Sequence, residues 1–191
     1  MIMAVDRSKT DDMEVIGRVL DGDSDSFGIL LDRYTDHVMK IVGRRIPRDD
    51  VEETAHEVFI RAFRSLGRFA GKSPFPHWLA SIAVRTCHDY WRERYRGREM
   101  PVSDLSVDHQ QWLEKTISEE ANAFHESTES REAAREVLDR ILARLSPDER
   151  TIVQLIHLDG YSVAEASELT GWSAANVKIR AFRARNRMRK L

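Results

Sequence analysis

The chain has 191 residues and a formal net charge of −2, with 41% apolar and 32% charged residues, which allows one ordinary domain or two small ones with modest cores. The single cysteine, Cys87, excludes an intrachain disulfide, and no apolar run reaches the roughly 18 residues of a membrane span. Asp6, Asp11, Asp12 and Glu14 near the start are unlike a signal peptide, so the chain is expected to be cytoplasmic.

Apolar residues recur at helical rather than alternating spacing, and prolines fall where helices begin or loops lie. The spacing predicts a first helix over about 12–20, with Val15, Ile16, Val19 and Leu20 on one side. The Gly22-Asp23-Ser24-Asp25 turn then caps a second helix carrying Phe27, Leu30, Leu31, Tyr34, Val38, Ile41 and Val42, which Pro47 breaks. A third helix is expected from Asp49 or Asp50 to about Phe69, burying Val51, Ala55, Val58, Phe59, Ala62, Phe63 and Leu66. After the loop 70–76 comes a fourth, from His77 to about Arg96, with Trp78, Leu79, Ile82, Ala83, Thr86 and Tyr90 inward. Cys87 lies within it and reads as a small core residue.

Residues 99–131 lack periodicity and are rich in Ser, Asp and Glu, as a flexible acidic linker would be, with room for a short helix around Trp112-Leu113. Val137, Leu138, Ile141, Leu142 and Leu145 then supply a helix. Ser146-Pro147 with Glu149 gives the capping-box pattern at the start of the next one. That helix carries Ile152, Val153, Leu155, Ile156 and Leu158 and stops at Asp159-Gly160. The last two helices are capped by Ser162 and Ser173 and joined through Gly171, the order of a helix-turn-helix. Ala164, Ala166 and Leu169 are expected to pack the first of them. The fold class is therefore all-α: two small helical domains, 1–98 and 132–191, joined by the linker 99–131.

The near-neutral total hides a pattern. Residues 56–98 hold nine arginines and lysines against three carboxylates, while residues 99–131 hold eight carboxylates against two basic groups. Residues 174–191 carry Lys178, Arg180, Arg183, Arg185, Arg187, Arg189 and Lys190 and no carboxylate. Positive charge so placed points to nucleic acid. In the final helix Val177, Ala181, Ala184 and Met188 form a narrow apolar face. The opposite face holds Asn176, Lys178, Ile179, Arg180, Phe182, Arg183 and Arg185. Its amino end would reach base edges and the later arginines phosphate. The histidines have no ligand-like spacing with Cys87, and no phosphate loop, nucleophile motif or carboxylate pair stands out. Neither an enzyme, a cofactor nor a metal site is expected.

Five stretches resemble a known family. Leu145-Ser146-Pro147-Asp148-Glu149-Arg150, Leu158-Asp159-Gly160-Tyr161-Ser162-Val163-Ala164-Glu165 and the run 177–185 look like the fourth conserved region of bacterial sigma factors, closest to the small extracytoplasmic-function type. The run 50–59 resembles that family's polymerase-binding helix. Phe75-Pro76-His77-Trp78-Leu79-Ala80-Ser81-Ile82-Ala83, with Asp89 following, resembles its promoter-melting segment. The resemblance implies a sigma region 2-like bundle and a sigma region 4-like helix-turn-helix.

The same resemblance implies a promoter-specificity subunit that is a monomer when free. Its partners would be the β and β′ subunits of core RNA polymerase, promoter DNA and an anti-sigma factor. Glu53, His56, Glu57 and Ile60 would bind the core polymerase. His56 stands where glutamine is usual; it still donates and accepts hydrogen bonds, and it would make docking sensitive to pH. Phe69, Lys72, Ser73, Phe75, Arg85 and Arg92 would contact the −10 element, the loop holding a base extruded from the duplex. Arg85 replaces a common asparagine. Ser173, Asn176, Lys178, Ile179, Arg180, Phe182 and Arg183 would contact the −35 element. Ile179 replaces a common serine and Asn176 a common threonine, which implies an altered promoter preference. The rival reading is a stand-alone helix-turn-helix regulator, which would form a stable DNA-bound dimer without polymerase.

Overall fold

The structure, a computed structural model, describes residues 11–96 and 138–190. The linker 99–131 and the helix expected around Trp112 lie outside the described residues. The chain divides into two compact units with the main boundary between Glu93 and Arg94. Among the described residues every regular element is helical.

In the first unit, α1 (Asp12–Leu20) has Asp12 and Glu14 in its first turn and Arg18 in its last, charges that suit the helix dipole. It ends on a left-handed Gly22 (φ +108°), with the Asp23 N–H donating to the Arg18 carbonyl (3.0 Å) and Gly22 to Val19 (3.2 Å). This is a Schellman stop, and it requires a residue without a Cβ penalty. Val15, Ile16 and Val19 are buried, but Leu20 is 54% exposed, because at about 100° per residue it falls at the edge of their stripe.

The second helix, α2 (Phe27–Gly43), buries Phe27, Leu30, Val38 and Val42, while Leu31, Tyr34 and Ile41 flank the stripe and are half-buried. It packs against both α1 and α3. Asp12 at the head of α1 accepts hydrogen bonds from Arg33 and Tyr34 of α2. Burial and that carboxylate push the Tyr34 hydroxyl up to about 12, so it remains a donor.

The third, α3 (Val51–Ser65), buries Val51, Ala55, Val58, Phe59 and Ala62 as expected, but Phe63 is 43% exposed. At about 100° per residue, Phe63 falls just past the stripe's edge, where its ring meets that of Phe27 edge-on at 5.1 Å. The helix also stops short of Phe69. The Ser65 hydroxyl donates back to the Arg61 carbonyl (2.6 Å) and Gly67 follows, so the chain tightens into a 3-10 turn over Leu66–Arg68.

The fourth, α4 (Phe75–Arg94), begins two residues before the expected His77. Pro74 and Pro76 fit a first turn, where a missing N–H costs nothing, and the Pro74 carbonyl accepts from His77 and Trp78. Its buried face is broad, including Leu79, Ala83, Val84, Cys87 and Trp91. Trp78 and Tyr90 are half-buried rather than fully inward. The Tyr90 hydroxyl donates to Asp50, and the Trp91 indole N–H to the Arg45 carbonyl at 2.9 Å. Burial pushes the Cys87 thiol up to about 12, which makes it an inert core residue.

Further along the chain residues 138–142 are helical, followed by α5 (Pro147–Val153) with a π turn over Gln154–Leu158, α6 (Val163–Thr170) and α7 (Ala174–Met188). Leu142, Leu145, Val153 and Ala184 form a buried cluster, with Leu138 and Met188 packed on it. The π turn widens the helix by one residue per turn. Leu158, at the end of that turn, is 49% exposed. Ala164, expected to pack, is exposed; Ala166 and Leu169 alone of that trio are buried.

The expected capping box at α5 is complete. Ser146 Oγ accepts from the Glu149 N–H (3.3 Å) while Glu149 Oε2 accepts from the Ser146 N–H (2.9 Å). Ser146→Ala should therefore cost about 1 kcal/mol of stability, read as a lower urea midpoint at unchanged m-value.

Candidate nucleic-acid interface

The last helix owes its position to its two ends and one face. Gly171 takes a left-handed turn (φ +77°), and Ser173 Oγ accepts the Asn176 N–H at 3.3 Å, starting α7 in a defined direction. Val177, Ala181 and Ala184 are buried, with Met188 half-buried below them. That leaves Asn176, Lys178, Ile179, Phe182 and Arg183 exposed together. Ile179 at 48% and Phe182 at 42% exposure are costly to leave in water unless something covers them. Ser173 is exposed at the head of the same helix. The helix before it is held more firmly than the Ser162 cap alone suggests. Glu165 Oε2 accepts from the Ser162 N–H (2.8 Å) and Ser162 Oγ from the Glu165 N–H (3.2 Å), a second capping box.

Arg180 differs from its neighbours. Its Nε donates to Asp148 Oδ2 of α5 at 2.9 Å, and its guanidinium carbon lies 4.3 Å from the Trp172 ring centroid. Arg187 is drawn to Glu149 at 3.3 Å. The His157 imidazole is held below its ordinary pKa, first by burial and then by the charge of Arg185. The basic helix is thus fixed along one edge by carboxylates from α5 and presents its other edge to solvent.

The first unit carries a second basic surface. A groove of about 590 Å³ runs between Arg61, Arg64 and Arg68 on one side and Trp78, Arg85 and Asp89 on the other. Arg85 Nε and Nη2 donate to the Ser81 carbonyl (2.9 Å) and hydroxyl (2.7 Å). Its pKa is lowered by burial, which Asp89 partly opposes. Trp78, Arg64 and Arg68 were not singled out from the sequence. The signal available was a tryptophan seven residues, or two helical turns, before Arg85.

Beside the groove Phe69, Phe75 and Trp78 pack ring to ring at 5.1–5.7 Å, with Tyr34 5.4 Å from Phe75. Phe75 is only 3% exposed and forms the wall of the loop, whereas Phe69 and Ser73 are half-buried and Lys72 is exposed. Gly71 makes the left-handed turn (φ +66°) that brings the loop round. Arg92 is exposed in the last turn of α4.

On α3 the side away from the core presents Glu53 and His56, both exposed, with Glu57 and Ile60 half-buried. Glu53, His56, Ile60 and Phe63 follow one another at three- and four-residue steps, so the exposed Phe63 continues this strip. Glu57 is engaged by its own fold. Arg61 donates from Nε to Glu57 Oε1 (2.7 Å) and from Nη1 to Asp89 Oδ2 (2.8 Å), tying α3 to α4. Burial works against the Arg61 charge, but these two carboxylates outweigh it and its pKa is raised.

Among the described residues no cluster of His, Cys, Asp and Glu could hold a metal ion, and no helix is long and apolar enough to cross a membrane.

Residues 30–97 match the family described as Sigma-70 region 2, and residues 135–188 match Sigma-70, region 4. The chain is 33% identical over 174 residues to the ECF RNA polymerase sigma-E factor of Escherichia coli (strain K12), covering 91% of this chain and 90% of that protein. The sigma-E factor of Haemophilus influenzae is likewise 33% identical, over 175 residues and 91% of each chain. Among solved structures, CnrH in complex with the cytosolic domain of CnrY matches with a TM-score of 0.52 at 23% identity, covering 94% of this chain and 95% of that one. The sigma factor RpoE in complex with the anti-sigma factor NepR from Bartonella quintana matches with a TM-score of 0.51 at 19% identity, covering 86% and 94%. These two share the fold.

Proposed function

The chain belongs to the ECF RNA polymerase sigma factors, and from that membership we propose how its residues divide the work. The α3 strip of Glu53, His56, Glu57 and Ile60, extended by Phe63, docks on the β and β′ subunits of core polymerase. A line of charge, hydrogen-bonding capacity and uncovered apolar surface on one helix face is what a helix-on-helix contact needs. Phe69, Lys72, Ser73, Arg85 and Arg92 contact the −10 element, with Phe75 as the wall behind an extruded base and Trp78 as a stacking surface. Ser173, Asn176, Lys178, Ile179, Arg180, Phe182 and Arg183 contact the −35 duplex.

The functional division of the chain is 1–98 for polymerase and −10 contacts, 99–131 as acidic linker, and 132–191 for the −35 element. The protein works without catalysis of its own, as a monomer until it joins polymerase, and is cytoplasmic because its polymerase is. An anti-sigma factor controls it by covering the basic surfaces. The Bartonella quintana fold relative is held by such a factor, and exposed charge of one sign favours a complementary partner.

The observation that carries this reading is the acid-free α7, which turns Lys178, Arg183 and two uncovered apolar side chains toward solvent on one capped helix. In-vitro transcription with core polymerase on a random promoter pool tests it. The expected result is selection of templates sharing two separated sequence elements. Failure to associate with core polymerase, or initiation without sequence preference, would overturn it.

A further inference from the structure

We propose that Asp148 and Trp172 are positioning residues for −35 recognition, holding the Arg180 guanidinium as a preset fork before DNA arrives. The inference rests on the reading of α7 as the −35 helix and adds to it two residues that read no base themselves. Arg180 is a long side chain at the edge of the DNA-facing surface, and in water such a chain samples many rotamers. Two contacts remove that freedom. The Nε bond to Asp148 (2.9 Å) fixes the direction of the side chain, and the Trp172 ring at 4.3 Å fixes the plane of the guanidinium. Only the inner nitrogen is used by Asp148, so the two outer amino groups remain available for a phosphate or a base edge. Arg180 keeps 25% of its side-chain surface exposed and Asp148 42%, so the pair sits at the rim of the unit rather than in its core.

Charge and geometry make opposite predictions for Asp148. A carboxylate near DNA repels phosphate, so if only its charge mattered, removing it would tighten binding to every sequence. If it positions Arg180, removing it should loosen the fork and lose discrimination between sequences, even as general attraction to DNA stays level or rises. Trp172 carries no charge, so its loss should reduce discrimination with no gain elsewhere.

The test compares holoenzymes carrying the wild-type chain, Asp148→Ala, Trp172→Ala, Arg180→Ala and the Asp148→Ala/Arg180→Ala pair. Each is titrated with a promoter from the selected pool and with the same promoter scrambled at the −35 element. Asp148→Ala and Trp172→Ala are each expected to lower the ratio of the two affinities about three- to tenfold, with scrambled-site affinity unchanged or higher for Asp148→Ala. The double variant should be no worse than Arg180→Ala alone, because both changes remove one device.

Thermal unfolding of each free variant checks that α5 and α7 remain folded. For a variant whose melting falls, Asp148→Glu or Trp172→Phe is titrated instead and should retain more discrimination than alanine. Wild-type discrimination in the Asp148→Ala holoenzyme, or losses that add fully in the double variant, would overturn the proposal. A wild-type holoenzyme indifferent to the −35 scramble would instead sink the reading of α7.

Discussion

Glu53→Lys combined with His56→Ala is expected to weaken binding to core polymerase by about 2–5 kcal/mol, on the order of 30-fold or more. Competition binding of the labelled chain to core enzyme reads the loss, while the unfolding midpoint should hold. The packing of α3 separates this face from the core. Its buried stripe runs through Val51, Ala55, Val58, Phe59 and Ala62, and neither Glu53 nor His56 belongs to it. Both are exposed, so the substitutions leave the core untouched. Reversing a charge at a docking face is penalised twice, because an attraction disappears and a repulsion takes its place. Undiminished binding would remove α3 as the docking helix.

Glu57 is the poorer choice for this experiment, although it shares the face. It holds Arg61, which in turn holds Asp89 on the wall of the basic groove. Reversing Glu57 would place a cation against Arg61 and disturb the groove as well as the docking face. One substitution would then change two proposed functions. The same chain of ion pairs means that whatever engages Glu57 competes with Arg61 for its carboxylate. The partly exposed pairs contribute little stability by themselves, and their consequence is where they leave Asp89.

What could be read from sequence was what depends on neighbours in the chain. The Ser146–Glu149 capping box, the Gly171 turn, the Ser173 cap and the Val177–Ala181–Ala184 face all follow from residues within a few positions, and all are present. The order of the helices and the separation into two units were legible for the same reason. Features decided by distant packing were not. Phe63 lies at the edge of a stripe whose width is set by α2, and Leu20 at the edge of the α1 stripe, where exposure depends on what a distant element covers. Trp78 carries an apolar body and a polar tip, so periodicity placed it inward when it lines a groove. Phe75, marked as a base contact, is buried by Tyr34, Phe69 and Trp78, rings separated from it by three to forty-one positions. The Asp148–Arg180 bond spans 32 residues and no local pattern announces it.

On α7, Lys178→Ala and Arg183→Ala should each weaken recognition of the −35 element by roughly 1–3 kcal/mol if the side chain meets a base edge. Both residues are exposed, neither packs on the Leu142–Leu145–Val153 cluster, and α7 has no carboxylate to neutralise them. The measurement is holoenzyme affinity for selected and scrambled promoters over a range of salt concentrations. A base contact lowers affinity for the selected promoter alone. A phosphate contact lowers both about equally and reduces the slope of log affinity against log salt by about 1. Lys178 lies closer to the amino end, where side chains reach deepest into a groove, so its loss should fall more on discrimination. Arg183, more than a turn further along, stands beside the uncovered Phe182, whose apolar ring suits a thymine methyl. A uniform loss in both variants would reassign them to the backbone and leave base reading to the other residues of that face, among them the exposed and uncharged Asn176, Ile179 and Phe182.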